Sequence, residues 1–188
     1  MIQELIVRNR SYRRFYDEPV SRQTLEQLVD CARLSASGAN KQPLKYVLAC
    51  ERERNDAIFG TLAWAGYLPQ WPGPVEAERP TAYIIVVADK EIGPAGIDHG
   101  IAVQSLLLAA VEKGLGGCIL ASVQRDKLAS LLKLPPRYEI LLVLALGKPK
   151  EQVQLEELPS DGSVKYWRDE QQVHHVPKRT LRDSILDL

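Results

Sequence analysis

The sequence has 188 residues, 24 basic and 24 acidic side chains, a formal net charge of zero and 45% hydrophobic residues. That balance fits one ordinary globular domain with a sizeable core, and it excludes a globally basic nucleic-acid binder or a strongly charged membrane-surface protein. Apolar runs such as Ile140 to Leu146 are far too short to cross a bilayer.

In chain order, Ile2, Leu5 and Ile6 share one side of a short helix predicted over residues 2–9. A basic stretch follows, Arg8-Asn9-Arg10-Ser11-Tyr12-Arg13-Arg14. Pro19 and Ser21 mark a turn and a helix N-cap, and Leu25, Leu28, Val29 and Ala32 at helical spacing predict an amphipathic helix over 22–35. The small, polar stretch Ser35 to Asn40 reads as a loop, closed by Gln42-Pro43 because the residue before a proline avoids the helical region. A short buried strand is expected from Tyr46 to Cys50 and a helix over 53–65. The segment Tyr67 to Pro74 holds three prolines and a glycine, so it is irregular, yet it carries the large rings of Tyr67 and Trp71.

Ala82 to Ala88 is a β-branched, apolar strand. A central buried helix is expected to start near Asp98, since Ile101 to Lys113 is apolar nearly all round, and Gly114, Gly116 and Gly117 stop it. Cys118 to Ala121 predicts a strand, Arg125 to Leu132 a helix ended by Pro135-Pro136, and Tyr138 to Leu146 the last core strand. The last stretch is polar, with Tyr166-Trp167-Arg168, His174 to Arg179 and a short helix expected over 180–187. Such a tail wraps its own domain or reaches across a dimer. Strands alternating with helices give an α/β or α+β domain around a central sheet, and no glycine fingerprint follows the first strand, which argues against a Rossmann site. The organisation is a core over 1–149 and an extended tail over 150–188 of the same domain. Cys31, Cys50 and Cys118 read as buried apolar thiols without metal spacing, and no charged-then-apolar leader opens the sequence, so a reducing cytoplasm is expected.

Three segments can carry chemistry. Four arginines lie within the seven residues Arg8 to Arg14 with no acid among them, and guanidinium forks plus the Ser11 hydroxyl suit a phosphate; a solvated basic turn has the same composition. In Ser37 to Pro43, Asn40 and Gln42 offer donors and acceptors for the rim of a heterocycle, although a plain helix-to-strand connection reads alike. The glycines before Cys118 suggest tight packing, close ligand approach or a helix C-cap. Walker and nucleophile-elbow motifs are missing, the three histidines lack metal-site spacing, and Asp98 reads as a cap or first-turn acid. With no evident side-chain nucleophile or base, a cofactor that carries the reaction is the expectation.

These segments, in this order, resemble the nitroreductase family of flavin mononucleotide (FMN) oxidoreductases. Arg10-Ser11-Tyr12-Arg13-Arg14-Phe15 is similar to that family's Arg-Arg-Ser-x-Arg-x-Phe signature, with Asn9 where its first arginine stands. Ser37 to Pro43 is similar to its Ser-x-x-Asn-x-Gln-Pro loop, and Asp98 to Gln104, running on to Leu115-Gly116, to its central helix. The resemblance implies an α+β fold, a mixed sheet flanked by helices, in an intertwined homodimer with one FMN in each of two sites at the interface. It assigns Arg10, Ser11 and Arg13 to the FMN phosphate, with Lys178 and Arg179 completing that site. It puts Asn40, Gln42 and Pro43 near the ring or ribityl chain, usually from the other subunit, and the backbone of Leu120, Ala121 and Ser122 against the isoalloxazine. Ala121-Ser122 replaces the Gly-Gly or Glu-Gly common there. Tyr67 and Trp71 are candidates for a lid over the substrate, or else seal the dimer interface.

The activity so implied is ping-pong hydride transfer from NADH or NADPH, through the flavin, to a nitroaromatic, quinone or similar small acceptor. A flavin-binding or sensing protein without significant turnover is the alternative from another class. A reductive dehalogenase or flavin-destroying relative is the alternative within the same superfamily.

Overall fold

The computed structural model describes residues 1–186. Its centre is the strand whose sequence is most apolar. Every residue of β3 (Ala82–Asp89) is buried, so both faces of this strand must be covered. Antiparallel to β3 run β2 (Leu44–Ala49) on one side and the long β5 (Tyr138–Pro149) on the other, with Ile84 opposite both Leu48 and Leu144. β5 also pairs antiparallel with β4 (Gly116–Leu120) and, at its end, with β1 (Phe15–Tyr16).

Side chains alternate across a sheet, and here the alternation sorts the core into two layers. Ile84, Val86, Leu142, Leu144 and Leu146 face α2 (Arg22–Arg33) and α4 (Asp98–Glu112), meeting Leu25, Leu28, Val103 and Leu106. Tyr83, Ile85, Val87, Val143 and Ala145 face the other way, onto Ile58 of α3 (Arg52–Phe59) and Leu128 of α5 (Arg125–Leu132). The sheet is therefore flanked by helices on both faces. A short α1 (Ile2–Arg8) precedes them, and Ser21 caps α2 by accepting from the Thr24 N–H at 3.1 Å.

Five expectations need correction. The helix after residue 52 ends at Phe59, not 65, because Leu62 bridges to Val123 and the Ala63 N–H bonds the Ser122 carbonyl at 3.0 Å, so the chain is drawn into sheet-like pairing. α4 is buried on one side only; Ile97, just before it, and Ile101 stand exposed. Of the three thiols only Cys118 is buried, while Cys31 lies on the open face of α2. The polar tail is partly regular: β6 (Val153–Glu157) pairs parallel with β8 (His174–Lys178), which pairs antiparallel with β7 (Trp167–Arg168). The helix expected over 180–187 is a single 3₁₀ turn at Arg182–Ser184, and residue 187 lies outside the described residues.

Candidate functional site

After α1 the chain runs extended beside β4. Ser11 makes a parallel bridge to Gly117, and the Tyr12 N–H bonds the Gly117 carbonyl at 3.0 Å. This close approach explains the glycines. A Cβ on Gly116 would meet the Tyr12 ring and stand 2.7 Å from Pro149, and one on Gly117 would stand 2.8 Å from the Ala145 carbonyl oxygen. Gly114, with φ of +74°, follows the end of α4, so helix termination and tight packing both hold along this stretch.

Beside the paired segments is a cleft of about 290 Å³, lined by Asn9, Arg10, Ser11 and Arg13 from the N-terminal segment, Gln104 and Leu107 of α4, Gly117 and Ile119 of β4, and Tyr166, His174, Val176 and Lys178 from the tail. The tail thus forms one wall. Arg13 is buried at 8% exposure, and its guanidinium is held by the Ser11 carbonyl at 3.2 Å and His174 Nε2 at 3.2 Å, under the face of Tyr166. The fully buried Glu151 carboxylate accepts from the Arg13 backbone N–H at 2.8 Å and from Arg168 Nη2 at 2.6 Å, with Arg14 Nε at 3.9 Å.

Cations therefore outnumber carboxylates around this cleft. Burial lowers the Arg10 and Arg168 guanidinium groups below their ordinary range, as expected of desolvated cations. The Nε atoms of Arg10, Arg13 and Arg14 are buried without a hydrogen-bond partner among the described residues. Orphaned buried donors are costly, and in a cationic pocket an oxyanion is the group that satisfies them. The residues present thus fit a phosphate.

A second hollow of about 240 Å³ continues from the first and shares Arg13, Ile119 and Tyr166 with it. Leu120, Ala121, Ser122, Ala63 and Trp64 line it. Leu120 is buried, whereas Ala121 and Ser122 are exposed at the end of β4. The two hollows adjoin at these shared residues, and the trough they outline has the cationic groups in the first hollow and the strand backbone in the second.

The loop Ser37 to Pro43 lies elsewhere. Asp98 pins it: Ser37 Oγ donates to the Asp98 carboxylate at 2.6 Å, the Gly38 N–H does so at 2.9 Å, and the Gln42 N–H bonds Ser37 Oγ at 2.9 Å. These bonds hold the Asp98 carboxyl below its usual range. Ala39, Asn40 and Gln42 all have φ of +50° to +55°, a left-handed conformation that persists only where surroundings impose it. Asn40 and Gln42 are exposed and bonded to each other at 3.1 Å, and Pro43 is buried, its carbonyl accepting the Asp89 N–H at 2.8 Å. Gln42 borders a different, largely apolar groove of about 500 Å³ between α2, β2 and α4. Neither Asn40 nor Gln42 lines the trough within one chain.

The remaining candidates divide. Lys178 borders the cleft, but Arg179, the next residue, does not. The Tyr67 ring lies 5.0 Å from that of Tyr166, and the Trp71 ring receives the Arg168 guanidinium at 4.1 Å. Both aromatics therefore pack on the tail that walls the trough. Sequence reasoning missed Glu151, Tyr166, Arg168 and His174 as site residues. Their charges and rings were visible in the polar tail, but no periodicity tied them to Arg13, more than 130 positions away.

Comparison with known proteins identifies the family and the fold. The sequence profile of the nitroreductase family matches residues 6–148. An oxygen-insensitive NADPH nitroreductase of Salmonella typhimurium is 26% identical over 84% of this chain and 70% of its own length. Among solved structures, a nitroreductase family protein of Streptococcus pneumoniae superposes with a TM-score of 0.69 at 18% identity, over 86% of this chain and 97% of that one. An FMN-dependent nitroreductase of Clostridium difficile superposes with a TM-score of 0.64 at 21% identity, over 79% of this chain and 87% of that one.

Proposed function

Because the chain belongs to the nitroreductase family, we propose that it is an FMN-dependent oxidoreductase that passes hydride from NADH or NADPH to a small acceptor such as a nitroaromatic or quinone. The relatives' descriptions as an NADPH nitroreductase and an FMN-dependent nitroreductase support the reaction class. The observation that carries the assignment to this chain is the cationic end of the trough, where the buried Nε donors of Arg10 and Arg13 lack partners beside Ser11 and Lys178.

In this reading Arg10, Ser11, Arg13 and Lys178 hold the FMN phosphate, with Arg179 adding charge nearby. Leu120, Ala121 and Ser122 offer backbone groups along the flavin ring. When bound, the flavin would supply the hydride-transfer chemistry that links the two substrates. The protein's own residues bind, orient and exclude water. Tyr67 and Trp71, fixed on Tyr166 and Arg168, form part of the cover over the ring end.

The separation of Asn40, Gln42 and Pro43 from the trough supports a homodimer in which these residues complete the partner's site. The exposed Ile97 and Ile101 of one chain support the same reading. The bonds from Arg13 to Glu151 and His174 favour treating residues 1–149 and 150–188 as one domain. Three cysteines without disulfides favour a cytoplasmic location.

The test is an absorbance spectrum of protein reconstituted with FMN, followed by anaerobic titration with each nicotinamide and re-oxidation by a nitroaromatic or quinone. Flavin retention with bleaching and re-oxidation is the expected result. Failure to retain FMN overturns the reading. Retention without bleaching by either nicotinamide would make this a flavin-binding protein rather than an oxidoreductase.

A further inference from the structure

Two kinds of group can fix an arginine in a binding site. A carboxylate holds it and cancels its charge. A neutral acceptor holds it and leaves the charge available. The network around Arg13 separates these roles. Its nearest carboxylate, Glu151, bonds the Arg13 backbone N–H and the Arg168 guanidinium. The Arg13 guanidinium itself meets the Ser11 carbonyl, the Tyr166 ring and His174.

His174 belongs to β8 and is 1% exposed. A guanidinium has donors and no acceptor, so the bond of 3.2 Å from Arg13 Nη1 requires His174 Nε2 to be an unprotonated acceptor. The ring hydrogen then sits on Nδ1, which is buried without a partner among the described residues. The surroundings enforce the neutral form: burial first, and then Arg13, Arg168 and Arg14 against the opposing Glu151, push the imidazole down to about 4.

We propose that His174 is a positioning residue for anion binding, a neutral acceptor that aims the Arg13 fork into the cleft while leaving its positive charge for the ligand phosphate. This rests on the assignment of the trough to FMN. The sign of the charge matters here as much as the geometry. An acidic side chain at position 174 would hold Arg13 equally well, yet it would compete with the phosphate for the same guanidinium. An apolar side chain of similar size would fill the space and leave the fork unaimed.

The experiment compares the affinity for FMN with that for riboflavin, which carries the same ring without the phosphate, by quenching of flavin fluorescence. His174→Phe is expected to weaken FMN roughly tenfold, the scale of one charge-assisted hydrogen bond, and to leave riboflavin unchanged. His174→Gln, whose amide oxygen replaces Nε2 as a neutral acceptor, should stay within about twofold of the wild type, a bound taken from the same scale. His174→Glu should weaken FMN more than His174→Phe does. The inference is overturned if His174→Phe keeps the wild-type ratio of FMN to riboflavin affinity, if both flavins weaken together, or if His174→Glu binds FMN as tightly as the wild type. A wild-type protein that does not prefer FMN over riboflavin would instead remove the phosphate assignment, and the role of His174 with it.

Discussion

At the scale of single residues, position in the network rather than charge alone decides which arginines matter. Arg10 and Arg13 line the cleft, whereas Arg14, which donates to the Gln172 carbonyl at 2.8 Å, and Arg8 line neither hollow of the trough. Arg13→Ala removes a desolvated fork, so FMN affinity should fall by roughly ten- to a hundredfold, the range of a lost charged hydrogen bond. Riboflavin affinity should hardly change; equal losses for both flavins would mean that the variant damages the fold. The cluster itself was legible, because four arginines without an intervening acid are visible in a string of letters. The cleft that selects Arg10 and Arg13 was not. It depends on tail residues such as His174 and Lys178, whose own importance exists only once the chain has folded back.

At the scale of elements, the helices and strands of the core could be read because their apolar spacing decides them. Leu25, Leu28 and Ala32 mark α2, and the continuous run Ala82 to Ala88 marks a strand buried on both faces. What could not be read is where long-range pairing overrules a local pattern, as at Leu62 and Val123, or where strands of two to five polar residues find each other, as in the tail. The loop Ser37 to Pro43 shows how an element boundary carries function. Its left-handed residues are held by one carboxylate, so Asp98→Ala should release them and destabilise the protein by about 1–3 kcal/mol, measured by denaturant unfolding. It should also weaken FMN binding, although Asp98 borders neither hollow of the trough. Unaltered stability would show that the loop is held by other means.

The small tail sheet has its own fastening. His175 Nδ1 lies 2.7 Å from Glu156 and its Nε2 lies 3.2 Å from Asp169, while its ring stacks on Trp167 at 4.9 Å. First Glu156 and then Asp169 raise the imidazole above its ordinary value of 6.5. A raised value in the folded state means that the stabilisation is complete below 6.5 and is lost as pH climbs through the raised value. The melting temperature of the wild type should therefore exceed that of His175→Phe at mildly acid pH, with the gap closing as pH rises. A gap independent of pH would assign the effect to packing on Trp167 alone.

At the scale of the whole molecule, residues that the resemblance assigns to one FMN site lie on separate surfaces: the phosphate end on the trough, and the loop of Asn40 and Gln42 away from it, with Gln42 beside the groove between α2 and β2. The proposed second subunit would bring them together, and no single-chain pattern points to it. If the partner completes the site, dimers refolded from a mixture of Arg13→Ala and Gln42→Ala chains should regain activity, since each mixed dimer holds one undamaged site. Refolding the variants separately should give no such recovery, and neither should the mixture if each chain builds its site alone.

The unpaired cationic cleft also has a consequence at the bench. Anything that binds the native state and not the unfolded chain raises apparent stability by mass action, and small oxyanions match these donors. The protein should melt higher in phosphate than in a chloride buffer of equal ionic strength, with a smaller difference in Arg13→Ala. Phosphate should also slow the uptake of added flavin by occupying the same donors. The choice of purification buffer is then a choice of inhibitor, and a colourless preparation recovered from phosphate would be an exchange still waiting to happen.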